Sequence, residues 1–243
     1  MVFGATSQIG SELAVVFSKE NNLFLVGRNL LKLQALEKRC LENGADFVTF
    51  IHQDLRLGIK SIVKSIANQP IHLFINAASS TSRLYDNNAE FEDLPLYLSV
   101  DLQMPLHFIQ ECLSNTIVKE LNIVFVSTVL TLVKSPKRTV YTSLKILQEA
   151  FLKKIQKKNS SVNIMIIRVG KVIPFDRETD EAKKLAKKVF FSYNKKKKLV
   201  YYGKSGLAFV FLFHLQPIAF YAFTFFQRYI RKYIRKLLLN LRT

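Results

Sequence analysis

Cysteine is scarce in this chain: Cys40 and Cys112 are the only two, and no CxxC pair occurs. Nor do the four histidines cluster at metal-ligand spacing, so a disulfide framework and a structural zinc site are both excluded and a metal-free site in a reducing compartment follows. Internal repeats and low-complexity linkers are missing as well, which excludes solenoid and tandem-array architectures. No secretory signal is visible, because the first residues already read as a strand running into a turn. That strand is short: only Met1, Val2 and Phe3 precede the turn, against a usual strand length of about 5–6 residues. An N-terminal truncation or a misplaced start codon is the expectation this raises.

Acidic residues are few, and their scarcity is uneven. Residues 177–243 hold 16 Lys and Arg against 3 Asp and Glu, whereas residues 1–176 hold 20 against 15. A basic C-terminal region suits a polyanion, either nucleic acid or an anionic membrane face.

What is present is a regular alternation. Val2-Phe3 leads into Gly4-Ala5-Thr6-Ser7-Gln8-Ile9-Gly10, after which Leu13, Ala14, Val16 and Phe17 fall at helical spacing. Leu23 to Val26 is a short apolar run ended by Gly27, followed by Leu30, Leu33, Leu36 and Cys40 at steps of three and four. Strands are expected again at 47–51, 71–75, 123–126, 162–167 and 199–202, with helices around 59–66, 98–113, 141–155 and 181–193. Near-continuous apolar strands joined by helices indicate a parallel sheet covered on both faces. With right-handed crossovers this is an α/β, doubly wound, Rossmann-type sheet, expected to fill residues 1–204 and to leave 205–243 as a tail.

Two groups of residues carry chemistry. A glycine turn opening a helix presents backbone N–H groups and a partial positive charge to a pyrophosphate; taken alone it reads equally well as a tight turn with no ligand. Tyr141 and Lys145, four residues apart, share one face of the expected 141–155 helix. A phenol titrates at about pH 10, too high for proton transfer at neutral pH, and a neighbouring ammonium favours the phenolate. Tyr141 can then exchange a proton with a substrate oxygen. Arg28 directly follows the second strand, where an acidic residue would bind an unmodified ribose and an arginine pairs with a 2′-phosphate, so NADP(H) is favoured over NAD(H).

Over roughly residues 1–175 the chain resembles the short-chain dehydrogenase/reductase family. The likeness rests on Gly4-x-x-x-Gln8-Ile9-Gly10, Asp54-Leu55, Asn76-Ala77-Ala78, a hydroxyl residue thirteen before the tyrosine, Tyr141-x-x-x-Lys145 and Arg168-Val169-Gly170. It implies that the turn residues Gly4, Thr6, Ser7, Gln8, Ile9 and Gly10 hold the cofactor phosphates, and that Asp54 and Leu55 contact the adenine. Asn76, Ala77 and Ala78 would line the cofactor beside the nicotinamide ribose, and Lys145 would hold that ribose. Thr128 stands where the family's serine binds the substrate oxygen, with Ser127 as the neighbouring alternative. Asp101 occupies the place of an asparagine that helps hold a water in the proton relay; an ionised carboxylate accepts but cannot donate hydrogen bonds. Gln8, Ala78 and Val169 replace two glycines and a proline of the family pattern.

The tail adds a surface. Residues 206–226 are almost wholly apolar apart from His214, Gln216 and Pro217, and Phe226, Ile230, Tyr233, Ile234, Leu237 and Leu241 then recur at helical intervals opposite Arg228, Arg231, Lys232, Arg235, Lys236 and Arg242. Such a basic amphipathic helix suits the headgroup layer of an anionic membrane. Residues 206–226 approach the roughly 20 needed to span a bilayer, but Pro217 and the basic flanks favour insertion in the membrane plane over spanning; a core or oligomer-interface helix is the third arrangement. Nucleic acid is not expected, since no reading module is present and an apolar, Phe-rich segment has no use on a phosphate backbone. The protein is therefore expected at the cytoplasmic face of a membrane, acting on a small or lipid-linked ketone or alcohol. The C-terminal half is similar to the keto-reductase subunits of decaprenylphosphoryl-ribose epimerisation, which implies a polyprenyl-phosphate-linked keto-sugar. A 3-keto lipid reductase and a non-catalytic nucleotide-binding sensor or assembly protein are the alternatives, and a partner oxidase and a homo-oligomer stay open.

Overall fold

The computed structural model describes residues 1–66, 69–79, 94–114, 119–132, 140–170 and 180–203. Seven strands form one sheet: β1 (Val2–Phe3), β2 (Leu23–Gly27), β3 (Val48–His52), β4 (Leu73–Asn76), β5 (Leu121–Thr128), β6 (Val162–Val169) and β7 (Leu199–Tyr202). Their order is β3-β2-β1-β4-β5-β6-β7 and every pairing is parallel. The direction of winding reverses between β1 and β4, the switch point at which such sheets bind ligands beyond the strands' carboxyl ends.

The helices are α1 (Gln8–Ser18), α2 (Leu30–Glu42), α3 (Lys60–Ser65), α4 (Leu94–Tyr97), α5 (Met104–Ser114), α6 (Val140–Lys158) and α7 (Asp180–Asn194). Strand alternation sends side chains to two separate cores. Phe3, Phe74, Ile123, Phe125 and Ile166 pack against α3, α5 and α6, while Val2, Leu25, Ile75, Val124 and Ile167 pack against α1, α2 and α7. Phe3, Phe74 and Phe108 anchor the first core with ring centroids 4.9 Å apart.

The expected alternation of strands and helices is found element by element, with ends displaced by no more than three residues outside the helix expected at 98–113. The short first strand is held on both sides, Val2 opposite Leu25 and Ile75, Phe3 opposite Val26 and Asn76. One element departs from expectation: the helix of 98–113 begins at Leu94 and widens into a π-helical stretch, Leu98–Gln103, before α5. A π turn inserts an extra residue, and such insertions cluster at functional sites. This one carries Asp101. Among the described residues no helix is long and apolar enough to cross a membrane. The expected tail, residues 205–243, lies outside the described residues.

Candidate active site

The glycine turn owes its shape to two close approaches. Gly4 has φ +71°, and a Cβ there would stand 2.6 Å from the Ala78 nitrogen and 2.7 Å from the Ala77 oxygen. Only glycine lets the turn after β1 lie against the chain leaving β4. The structure thus brings together Gly4 with Asn76, Ala77 and Ala78, 72 or more residues away. A Cβ on Gly10 would collide with the Gly4 carbonyl oxygen. Ser7 caps α1: its hydroxyl accepts from the Gly10 N–H at 3.0 Å and donates to the Gly4 oxygen at 2.8 Å. Ser7, expected to hold phosphate, is committed to shaping the turn. Its neighbour Thr6 lies against Gly27, where a Cβ would stand 2.7 Å from the threonine methyl, and Ile9, in the first turn of α1, packs against the second core.

At the outer end, Asp54 is gripped by an arginine that the sequence reading passed over. Arg56 Nη2 lies 2.6 Å and Nε 2.8 Å from Asp54 Oδ2, and the Arg56 N–H donates to Oδ1 at 2.9 Å. Arg28 Nη1 stands 4.0 Å from the same carboxylate with its side chain 66% exposed. Burial pushes the Asp54 carboxyl up, but the Arg56 hydrogen bonds and the two guanidinium charges prevail and hold it below the usual carboxylate value. The Leu55 side chain is buried in the core with Ile51 and Ile59, so an adenine contact of the kind the resemblance implies would fall to its backbone. An apolar side chain at the turn after β3 gains more from that core than from an open groove. The adjacent Arg56 was legible as a charge but not as a partner.

The inner end is built on α6. Its core-facing stripe runs Tyr141, Lys145, Gln148, Glu149 and Leu152, polar where a covering helix would ordinarily be apolar. Lys145 is only 2% exposed. Its Nζ lies 5.0 Å from the Phe125 ring centroid and 5.7 Å from that of Tyr141. Burial pulls the Lys145 ammonium down in pKa, and the charges of Asp101 and Glu149 push it back toward the charged form. Asp101, buried on the π-helical stretch, therefore faces the lysine across the site. Tyr141 is half-buried and packs with Tyr97, Leu98 and Leu144.

Glu149 is the hub that sequence reasoning missed. Its carboxylate accepts from Ser127 Oγ at 2.7 Å, from Thr131 Oγ1 at 3.3 Å, and from Arg168 Nε at 3.1 Å and Nη2 at 2.6 Å. Arg168 Nη1 donates onward to the Tyr201 hydroxyl at 3.1 Å. The network ties α6 to β5, β6 and β7, and it commits Ser127. Ser127 is thereby taken from the list of groups available to a substrate oxygen, leaving Thr128, whose Oγ1 accepts from the Leu130 N–H at 3.3 Å. The signal that could have found Glu149 was its place eight residues beyond Tyr141, on the same helical face.

These residues fit a dinucleotide. The helix N-terminus behind a glycine turn suits a pyrophosphate. Asn76 is buried, with Oδ1 accepting from the Ala78 N–H at 3.2 Å and Nδ2 lacking a partner among the described residues, so a donor stands ready beside the expected ribose position. Two guanidinium groups flank the end of the β2–β3 pair. Among the described residues no cluster of histidine, cysteine or carboxylates could hold a metal ion. Cys40 and Cys112 are buried thiols, pushed up to about 11 and about 12 by burial.

Over residues 1–189 the sequence matches the short chain dehydrogenase family, and the chain belongs to that family. Membership makes it a nicotinamide-dependent oxidoreductase of alcohol or ketone groups. No curated protein matches it significantly. Among solved structures, it is similar to a short-chain dehydrogenase from Sphingobium yanoikuyae in complex with NADPH, at 14% identity and TM-score 0.70, over 82% of this chain and 85% of that one. An alcohol dehydrogenase from the archaeon Thermococcus sibiricus complexed with 5-hydroxy-NADP matches at 17% identity and TM-score 0.69, over 83% and 93%. Acetoin dehydrogenase from Enterobacter cloacae matches at 15% and 0.70, over 83% and 92%. At these identities the likeness establishes a common fold.

Proposed function

We propose that the protein is an NADP(H)-dependent reductase of a ketone, able to oxidise the corresponding alcohol, that works on a membrane-resident substrate at the cytoplasmic face. The observation that carries the chemistry is the buried Lys145 amine, 5.7 Å from the Tyr141 ring and answered by the charges of Asp101 and Glu149. When bound, NADPH supplies a hydride to the carbonyl carbon. Tyr141 gives its phenolic proton to the carbonyl oxygen, while Thr128 donates a hydrogen bond to the same oxygen and orients it. The Lys145 ammonium would stabilise the phenolate left behind, and the charges of Asp101 and Glu149 partly offset the lowering of its pKa by burial. Asn76 and the turn residues Gly4, Gln8 and Ile9 would hold the dinucleotide.

Arg28, with Arg56 beside it, supports the choice of a 2′-phosphorylated nucleotide, and two of the solved neighbours hold nucleotides of that kind. Membrane residence rests on the apolar and basic sequence of 206–243. A polyprenyl-phosphate-linked keto-sugar and a 3-keto lipid both satisfy that reading, and turnover on each by purified protein in vesicles separates them. The mechanism is tested by Tyr141→Phe, which removes the proton and keeps the ring. NADPH should still saturate the variant, and turnover should fall by about 10²–10⁴-fold, the usual worth of a general acid. Turnover near wild type rejects the assignment.

A further inference from the structure

Helix α7 and the turn behind it carry eight lysines, Lys183, Lys184, Lys187, Lys188 and Lys195 to Lys198, and all eight are exposed. Against them stand only Asp180 and Glu181 in residues 180–203. The opposite stripe of the helix, Ala182, Leu185, Ala186, Val189 and Ser192, is buried against α1 and the sheet, so the lysines are left on the outward side. Two of the eight have local duties: Lys184 pairs with Glu181 at 3.5 Å, and Lys188 donates to the Tyr201 carbonyl at 2.8 Å, covering the open edge of β7. Lys183, Lys187, Lys196, Lys197 and Lys198 make no salt bridge among the described residues.

We infer that this face is a docking surface for an anionic lipid bilayer, set in the folded domain and separate from the tail. It rests on the proposed membrane residence and deepens it. Charge complementarity is the first argument: clusters of four to eight lysines beside a membrane-seeking segment bind anionic headgroups, each adding a small favourable increment. The second is apolar. Phe191 is 58% exposed in the middle of the lysines, with Lys195 Nζ 4.1 Å from its ring centroid, and Leu199 is 40% exposed just beyond them. A lipid interface takes an aromatic and an aliphatic side chain together with lysine stems, which lie along the headgroups while their charges stay in water. A phosphate backbone has no such use for Phe191 and Leu199.

Position supplies the third argument. β7 is the edge strand, parallel to β6, with Tyr202 opposite Val169. Its carboxyl end therefore lies on the edge of the sheet that carries Asn76 and Thr128. The chain leaves there, at Gly203, into residues 204–243, where seven lysines and arginines face no acid in the sequence. Helix α7 starts at that same edge, where the Tyr202 hydroxyl meets Glu181, and runs to the opposite edge, so a bilayer against its outward side would have Lys183 and Lys184 nearest the site and Lys195 to Lys198 farthest from it.

The test uses full-length protein on vesicles of phosphatidylcholine with and without phosphatidylglycerol. Replacing Lys183, Lys187, Lys197 and Lys198 together by Gln should weaken binding to the phosphatidylglycerol vesicles at least about tenfold, and replacing them by Arg should preserve it within about twofold. Wild-type binding should fall as salt rises from about 0.05 to about 0.5 M, a measurement that needs no variant. NADPH saturation of the Gln variant reports that its fold is intact. Equal vesicle binding by the Gln variant, or salt-independent binding by wild type, overturns the lysine face while the tail's role stands. Failure of wild type to bind either vesicle overturns the membrane reading and this face with it. Loss of oligonucleotide binding in the Gln variant with vesicle binding retained would assign the face to nucleic acid and overturn the proposal.

Discussion

Two ion pairs stand at the same distance in two different settings. Arg56 and Asp54 meet at 2.6 Å with side chains 54% and 17% exposed; Arg168 and Glu149 also meet at 2.6 Å, with side chains 11% and 5% exposed. Geometry does not separate them, and solvent does. The outer pair lies at the carboxyl end of the β2–β3 pair, where water screens both charges and each survives without the other. The inner pair lies between α6 and β6, where each charge has lost its hydration and depends on its partner. Under the proposed function, the first region would meet the nucleotide and the second would support the groups that act on the substrate.

The comparison breaks most sharply at Arg168. Arg168→Met takes from the buried Glu149 its ion-pair partner, leaving the Ser127 and Thr131 hydroxyls and the charge of Lys145, and should cost about 3–5 kcal/mol of stability in urea unfolding. Adding Glu149→Met should return much of that loss, because the stranded charge goes with it; a double variant as unstable as the single would mean that the pair matters through its packing. Gly4→Ala comes next. The left-handed backbone and the contact with Ala78 should cost about 1–3 kcal/mol and abolish nucleotide binding, measured by thermal unfolding and NADPH fluorescence.

Asp54→Asn should act more gently and with a pH signature. The folded carboxyl sits below its unfolded value of about 3.9, so its contribution is present above that value and is lost as pH falls through the folded one. Wild type should therefore exceed the variant in melting temperature at neutral pH, with the gap closing in acid. Arg28→Ala, at the most exposed of these groups, should leave the melting temperature unchanged and lower NADPH affinity about tenfold with little effect on NADH, as titration of both nucleotides would show.

How much was legible in the sequence differs between the two regions in the same way. The seven strands, the placing of the helices and the Tyr141–Lys145 spacing were readable, because apolar periodicity and the four-residue helical step are local properties of the chain. The glycine turn was readable too, though not that Ser7 spends its hydroxyl on Gly10 and Gly4. Leu55 was placed at the adenine by the family resemblance, and that its side chain lies in the core was not readable from the motif. Asp101 was seen as a departure from pattern; that it faces Lys145 from a π-helical stretch depends on an extra residue in the helix, which periodicity does not report. Glu149 carried no reading in the sequence, because its partners come from two strands, β5 and β6, and from the turn after β5.

Local chemistry alone thus determined a doubly wound parallel sheet, a turn shaped for a dinucleotide and a phenol one helical step from an amine. Only the tertiary structure decided which charges are buried, which hydroxyl is already spent, and that Gly4, Asn76, Thr128 and Arg168 stand on one edge of the sheet. The division has one physical cause. Periodicity and turn geometry arise between neighbours along the chain, whereas desolvation depends on everything that packs around a group, and most of that arrives from far away in sequence.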